Sequence, residues 1–99
     1  MAYPVIWSER ALDDVAALAT YIARDSEAYA RAVAQKILGV GYRLQQFPFS
    51  GRVVPEFQVP RLRELLVHGY RVIYRTSASA VTVVTVIHAR QRVPPEHTI

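Results

Sequence analysis

The 99-residue chain contains 52% hydrophobic and 20% charged residues, a balance typical of a folded domain and not of a disordered chain. Because it has no cysteine, it has neither a disulfide framework nor a thiolate site. No apolar run approaches the roughly 18 to 20 residues that span a bilayer, and the N-terminal MAYPVIWSER lacks the pattern of an export signal. We therefore expect one cytoplasmic domain over residues 1–99, without a membrane segment.

The first residues predict a short strand followed by a helix. Residues 3–7, YPVIW, are aromatic and β-branched, and Pro4 places them at the start or the edge of a sheet strand. Ser8 offers a hydroxyl to the free N–H groups of a following helix. Apolar residues then recur on one face at helical spacing, which predicts a helix from about 9 to 24.

A second helix is predicted after the Asp-Ser pair that ends at Ser26, which is a turn and cap signal. Its apolar residues repeat at steps of four and three until about Gln46, and Pro48 ends it. Gly39 and Gly41 lie inside this helix, where each costs about 1 kcal/mol relative to alanine. We expect another backbone to approach closely at these glycines; a kink in the helix is the alternative.

The second half of the chain predicts a loop and three strands. Residues 48–60, PFSGRVVPEFQVP, contain three prolines and no periodicity, which is typical of a loop. Strands are predicted at about 62–67, 70–75 and 80–88, the last one central and covered on both faces because nearly every residue is β-branched. The order β-α-α-β-β-β predicts an α+β fold in which a helical hairpin packs on a mainly antiparallel four-stranded sheet.

The stretch LRELLVHGYRVIYR reads as a hairpin with a two-residue turn at His68-Gly69. In that register Glu64 lies diagonally between Arg71 and Arg75 on one face, so we expect a structural ion pair with at least one of them. Since one carboxylate cannot neutralise two guanidinium groups, at least one arginine is left for a partner.

The net charge of +4 lies in the second half of the chain. Residues 1–50 contain five basic and five acidic side chains, whereas residues 51–99 contain seven arginines and three glutamates. Such a positive field suits an acidic protein or a nucleic acid. Arginine-rich composition can also reflect codon usage alone, so charge by itself leaves the function open.

Other chemistry finds little support in the sequence. The histidines, His68, His88 and His97, lie far apart and lack the short spacing of metal ligands. His68 is interpreted as a turn residue and His88 as a strand-end residue that can also contact a partner. No glycine-rich phosphate loop is present, and the serines suit caps and turns. We expect no metal, no cofactor and no serine nucleophile.

Five short motifs occur along the chain in a fixed order. They are Trp7-Ser8 with Ala11, Asp14 and Leu18; Phe47-Pro48 with Gly51-Arg52; Leu62-Arg63-Glu64; Tyr70-Arg71-Val72-Ile73-Tyr74-Arg75; and Ile87-His88-Ala89-Arg90. None is specific alone, but together they resemble toxins of the RelE/ParE superfamily from bacterial type II toxin-antitoxin pairs, over nearly the whole chain. The resemblance implies the β-α-α-β-β-β fold. It also implies a cognate antitoxin, ParD-like or another small DNA-binding protein, in a heterodimer or heterotetramer.

The superfamily has two branches that the resemblance alone does not separate. RelE-like members cut messenger RNA, usually on the ribosome, whereas ParE-like members act on DNA gyrase and have no recognised hydrolytic site. RNA cleavage needs groups that activate the 2′-hydroxyl, stabilise charge on the phosphate and protonate the leaving oxygen. In the nuclease branch these are lysines on the second strand, an arginine on the third, and an arginine and a tyrosine after the last strand.

The residues that align with that nuclease pattern are Leu62, Glu64, Arg71, Gln91 and His97. Only the third-strand arginine, Arg71, is kept. Glu64 would repel a phosphate, and Gln91 lacks the positive charge that an arginine would place beside it. His97 could still act as an acid, and Arg90 and Arg92 flank the gap, so a nuclease would use Arg71, Arg90 and His97.

The resemblance therefore favours a ParE-like inhibitor of DNA gyrase, without a catalytic site of its own, that acts in growth inhibition and in plasmid or chromosome maintenance. The alternatives are a RelE-like ribosome-dependent mRNA endonuclease and a non-toxic member that only binds its antitoxin.

An apolar groove beside the helical hairpin and the sheet edge is expected to accept the antitoxin. The residues expected to contact the target or the antitoxin are Arg71, Arg75, His88, Arg90 and Arg92. Arg63, opposite Tyr74, is expected to be structural, with its guanidinium stacked on an aromatic face.

Overall fold

The computed structural model describes residues 2–95. Its elements are β1 (Val5–Trp7), α1 (Glu9–Ala23), α2 (Glu27–Gln46), β2 (Arg52–Val53), β3 (Leu62–Val67), β4 (Tyr70–Thr76) and β5 (Val81–His88). The two helices pack on each other and on one face of the sheet. This confirms the predicted α+β class with a helical hairpin on a mainly antiparallel sheet.

Both helices begin at the predicted serine caps. The Oγ of Ser8 accepts a hydrogen bond from the N–H of Ala11 at 3.0 Å, and the Oγ of Ser26 accepts one from Tyr29 at 3.1 Å. Each hydroxyl satisfies a backbone donor that the helix itself leaves free. Within residues 2–95, neither helix is long and apolar enough to cross a membrane.

The sheet has the strand order β1-β5-β4-β3-β2, with β1 parallel to β5 and all other neighbours antiparallel. The predicted count of four strands was therefore wrong by one. The added strand, β2, pairs Arg52 with Glu64 and Val53 with Arg63, inside the segment predicted to be a loop. Two residues are too few to show a strand period, and prolines surround them.

The β3–β4 hairpin has the predicted two-residue turn. His68 has φ 49° and Gly69 has φ 83°, the left-handed conformations that a type I′ turn requires. The pairing follows the predicted register, with Val67 opposite Tyr70 and Leu65 opposite Val72. The placement of Glu64 beside Arg71 depends on this register.

Both faces of the sheet carry a hydrophobic core. The larger core lies under the helices, and the smaller one lies under residues 54–59 and Val93. Strand β5 contributes Val83 and Val86 to the larger core and Val84 to the smaller one. It is covered on both faces, as predicted, but the central strand is β4, since β5 lies second in the sheet between β1 and β4. Because β1 pairs only with Val81–Val83, the later residues of β5 form a local sheet edge beside α1.

The glycines of α2 do not make the expected close backbone contact. A Cβ atom at Gly39 would have no neighbour within 4 Å, and one at Gly41 would lie 3.4 Å from the Trp7 Nε1 side-chain atom. The close approach occurs instead at Gly51, where a Cβ would lie 2.5 Å from the Glu64 carbonyl oxygen and 2.7 Å from the Tyr74 hydroxyl. The glycine that close packing requires is therefore in the loop and not in the helix.

Candidate functional site

A buried ion-pair network lies on the sheet face away from the helices, centred on Arg71 of β4. The Arg71 side chain is only 7% exposed. Its Nε donates to Glu64 Oε1 at 2.8 Å, and its two terminal nitrogens donate to the two carboxylate oxygens of Glu56 at 2.8 and 2.7 Å. A bidentate contact of this kind is the strongest arginine–carboxylate geometry. Arg71 is thus held from two sides.

Glu64 confirms the predicted ion pair but has a second partner that the sequence did not indicate. Its side chain is completely buried, and its Oε2 accepts a hydrogen bond from Arg52 Nε at 2.7 Å. Arg75 is half-buried opposite Leu62 and makes no ion pair within residues 2–95. Two arginines and two glutamates therefore neutralise each other, and Arg75 is the arginine left over.

The electrostatics of the network keep Glu56 and Arg71 charged. The hydrogen bond from Arg71 lowers the pKa of Glu56 to about 2. The hydrogen bonds to Glu56 and then to Glu64 raise the pKa of Arg71, against the opposing effect of burial. An ionised pair with matched partners is the arrangement that offsets the cost of burying charge.

This network occupies the positions that align with the nuclease residues. Arg71 and Glu64 lie together, and the carbonyl oxygen of Gln91 accepts a bond of 3.3 Å from Arg71, whereas Leu62 is buried in the smaller core. A guanidinium has five N–H donors, and Arg71 makes five hydrogen bonds inside the chain. As folded, Arg71 therefore has no donor left for a phosphate. His97, the predicted acid, lies outside the described residues.

Residues 88–92 form a basic turn beside the tip of the β3–β4 hairpin. The N–H of Ala89 donates to the Gly69 carbonyl at 2.8 Å, and the His88 ring contacts the Tyr70 ring edge-on with centroids 5.6 Å apart. His88 Nδ1 accepts a hydrogen bond from the backbone N–H of Arg90. The side chains of Arg90 and Arg92 are exposed, so these two arginines are available to a partner. Their predicted role stays a prediction.

A concave surface of about 610 Å³ separates α1 from the end of β5. We call it the α1–β5 groove. It is lined by Arg10, Asp14, Ala17, Leu18, Tyr21, Tyr70, Thr85, Val86, Ile87, His88, Gln91, Arg92 and Pro94. It lies beside the helical hairpin, where an apolar groove was predicted, but its lining includes the charged side chains of Arg10, Asp14 and Arg92. Its role as the antitoxin site stays a prediction.

Side chains block strand addition along the β5 edge of this groove. The N–H of Val86 donates to Asp14 Oδ2 at 2.9 Å, and the N–H of His88 donates to Gln91 Oε1 at 2.8 Å. Edge donors that are already satisfied do not template a new strand. A partner in the groove must therefore bind through side-chain packing unless it displaces these two groups.

Arg63 is structural, as expected, but its aromatic partner differs from the predicted one. The Arg63 guanidinium lies 5.0 Å from the centroid of the Phe49 ring, and it donates to the carbonyls of Pro60 and Gly51 at 3.0 Å each. Tyr74, its cross-strand neighbour, instead accepts a hydrogen bond from the Gly51 N–H at 2.9 Å. Burial raises the pKa of the Tyr74 hydroxyl.

Sequence reasoning missed Glu56, Arg52 and Asp14 as members of these sites. Glu56 and Arg52 lie in the proline-rich segment, where no periodic pattern of apolar residues shows which side chains face the sheet. One signal was present: only three glutamates accompany seven arginines after residue 50, so a buried arginine there needs one of those three. Within residues 2–95 no cluster of three His, Asp or Glu side chains could hold a metal ion.

Several solved structures share the fold of this chain. Among solved structures, the chain is similar to the chromosomal ParDE toxin-antitoxin system of P. aeruginosa, with TM-score 0.73, 20% identity, and 90% of this chain and 98% of that chain covered. It is also similar to a double mutant of E. coli toxin RelE in the free state, with TM-score 0.63, 20% identity and coverages of 91% and 86%.

A third similar structure is the RelBE2 toxin-antitoxin complex of Mycobacterium tuberculosis, with TM-score 0.61, 20% identity and coverages of 89% and 99%. A search of curated proteins found no match. At these identities the structural likeness establishes the fold, while the sequence pattern establishes the family. The family model described as "ParE toxin of type II toxin-antitoxin system, parDE" matches residues 5–93. The chain therefore belongs to the ParE toxin family of type II toxin–antitoxin systems.

Proposed function

We propose that this ParE-family toxin inhibits DNA gyrase in the cytoplasm and is held inactive by its cognate antitoxin. The observation that favours gyrase over RNA as the target is the hydrogen bonding of Arg71. It is the one residue shared with the nuclease pattern, and all five of its donors bond within the chain. Phosphoryl chemistry requires donors aimed at the developing charge. A toxin that acts by binding a protein has no such requirement.

The endonuclease alternative rests on the likeness to RelE and on the exposed Arg90 and Arg92 beside Gln91. In that case Arg71→Ala and His97→Ala would each abolish RNA cleavage, and gyrase would be unaffected. A non-toxic, antitoxin-binding member would show neither activity. The likeness to the ParDE and RelBE2 systems supports the antitoxin in all three cases.

The proposed binding surfaces are those where side chains are exposed to solvent. An antitoxin segment occupies the α1–β5 groove, in a heterodimer or heterotetramer. The target contacts the exposed side chains at the end of β5, which are His88, Arg90 and Arg92. Arg75 is half-buried and lies opposite Thr82 near the start of β5, so it belongs to this set only if the target also extends to that end of the strand. Arg71 belongs to this set only if a partner opens the bonds to Glu56, because the folded chain leaves it 7% exposed.

The deciding experiment compares the purified toxin on two targets, gyrase supercoiling and translating ribosomes. We expect inhibition of supercoiling and no cleavage of messenger RNA. The double variant Arg90→Ala/Arg92→Ala should abolish gyrase inhibition and leave the fold intact, since both side chains are exposed and exposed charges contribute little to stability. Exposed arginines of α1 and α2, such as Arg31→Ala, give a matched control. Full inhibition by the double variant would show that these two arginines lie in solvent and do not contact gyrase.

A further inference from the structure

A second concave surface lies at the end of α2 and has no role in the function proposed above. It measures about 730 Å³ and is lined by Arg43, Gln46, Phe47, Pro48, Phe49 and Ser50. We call it the Phe47–Phe49 surface. It shares no lining residue with the α1–β5 groove. A partner on this surface therefore need not compete directly with one in the groove.

Two exposed phenylalanine rings dominate this surface. Phe47 is 64% exposed and Phe49 is 57% exposed, although the turn that carries them is well anchored. Pro48 and Gly51 are buried, and a side chain at Gly51 would collide with the sheet. Rings that a rigid turn holds in water lose little conformational freedom when a ligand binds them.

One face of Phe49 already carries a cation. The Arg63 guanidinium lies 5.0 Å from the ring centroid and is fixed there by the carbonyls of Pro60 and Gly51. The arrangement strengthens stacking on the opposite face, because a flat group placed there completes a guanidinium–ring–ligand stack.

The charge around the two rings is positive and uncompensated. Arg43 lines the surface, and the Arg63 guanidinium lies over the Phe49 ring. Within residues 2–95, neither Arg43 nor Arg63 makes an ion pair with a carboxylate. Flat rings spread over an open surface with unpaired cations suit successive stacked bases joined by phosphates, whereas the hot-spot residues of protein–protein interfaces lie in well-packed, desolvated pockets.

We propose that the Phe47–Phe49 surface binds single-stranded nucleic acid, with Phe47 and Phe49 stacking on bases and Arg43 contacting a phosphate. Stacking of this kind does not read base identity, and it tolerates either sugar. The activity is independent of gyrase inhibition and of antitoxin binding.

The test measures fluorescence anisotropy of a labelled oligothymidylate of about twelve nucleotides, a length within the usual site sizes, with oligouridylate as a second arm. Phe47→Ala/Phe49→Ala should weaken binding at least about tenfold, because each lost stack is expected to cost about fivefold or more. Arg43→Ala should instead make the negative slope of log affinity against log salt shallower by about 0.7. Circular dichroism and thermal melting establish that each variant is folded.

Tyr29→Ala is the matched control, since Tyr29 is an exposed ring at the other end of α2; its affinity should stay within about twofold of the parent. The proposal is overturned if the oligonucleotides do not bind, or if the double phenylalanine variant binds as the parent does. It is also overturned if polyglutamate of equal charge competes as well as the oligonucleotide, because the surface then recognises acidic polypeptide.

Discussion

Glu64 is the residue on which the buried network depends. The contribution of the Glu64 ion pair to stability depends on how far the carboxylate is exposed, and the sequence could not show that exposure. The structure buries the carboxylate completely between Arg52 and Arg71. Removing one member of a buried ion pair leaves an uncompensated charge, which is far more costly than losing an exposed pair.

We therefore expect Glu64→Ala to lower the free energy of unfolding by about 3 kcal/mol or more, measured by urea denaturation at pH 7. Glu64→Gln should cost less because it keeps the volume and one acceptor oxygen. Glu9→Ala, an exposed carboxylate on α1, should change stability by less than about 1 kcal/mol. Toxicity should persist in any Glu64 variant that stays folded. Its complete loss in a folded variant would assign Glu64 a direct role and favour the nuclease alternative.

At the scale of elements, two glycines with open surroundings but different backbone conformations show where the chain needs a glycine. Gly39 lies in α2, where a Cβ would meet nothing within 4 Å, whereas Gly69 has φ +83° in the hairpin turn. Gly39→Ala should stabilise the chain by about 1 kcal/mol, and Gly69→Ala should destabilise it by about 1 kcal/mol. For a chain of this size each change corresponds to roughly 4 to 8 °C in melting temperature. A lower melting temperature for Gly39→Ala would mean that α2 needs this glycine.

The elements that sequence reasoning predicted well are those with local signals. Ser8 and Ser26 are caps, and His68-Gly69 fixes a turn and hence a register. What it missed depends on contacts between distant segments. Strand β2 exists because Arg52 and Val53 pair with β3. Glu56 binds Arg71, which is 15 residues away in the sequence. No local periodicity encodes these long-range contacts, so the fifth strand could not be predicted. The charge balance alone did not single out Glu56 as the second carboxylate of the network.

At the scale of the whole molecule, burial is incomplete. A chain of this length removes only about two thirds of its unfolded surface from water, and large hydrophobic side chains remain exposed, including Tyr21 in the α1–β5 groove and Tyr29 elsewhere on the helices. A partner that covers such a surface binds the folded state alone. By mass action it must then stabilise the fold.

The antitoxin should accordingly raise the melting temperature of the toxin, by on the order of 10 °C at a hundredfold excess over Kd. The free toxin should be less soluble than the complex. Tyr21→Asp should reduce this stabilisation and leave the melting temperature of the free toxin nearly unchanged, because Tyr21 is 66% exposed and its loss removes little core. Tyr29→Asp, outside the groove, is the control and should leave the stabilisation intact. Co-expression with the neighbouring small gene product provides the complex. If that complex forms and melts alike with and without Tyr21→Asp, the antitoxin binds another surface, and if no complex forms, the proposed partner itself is wrong.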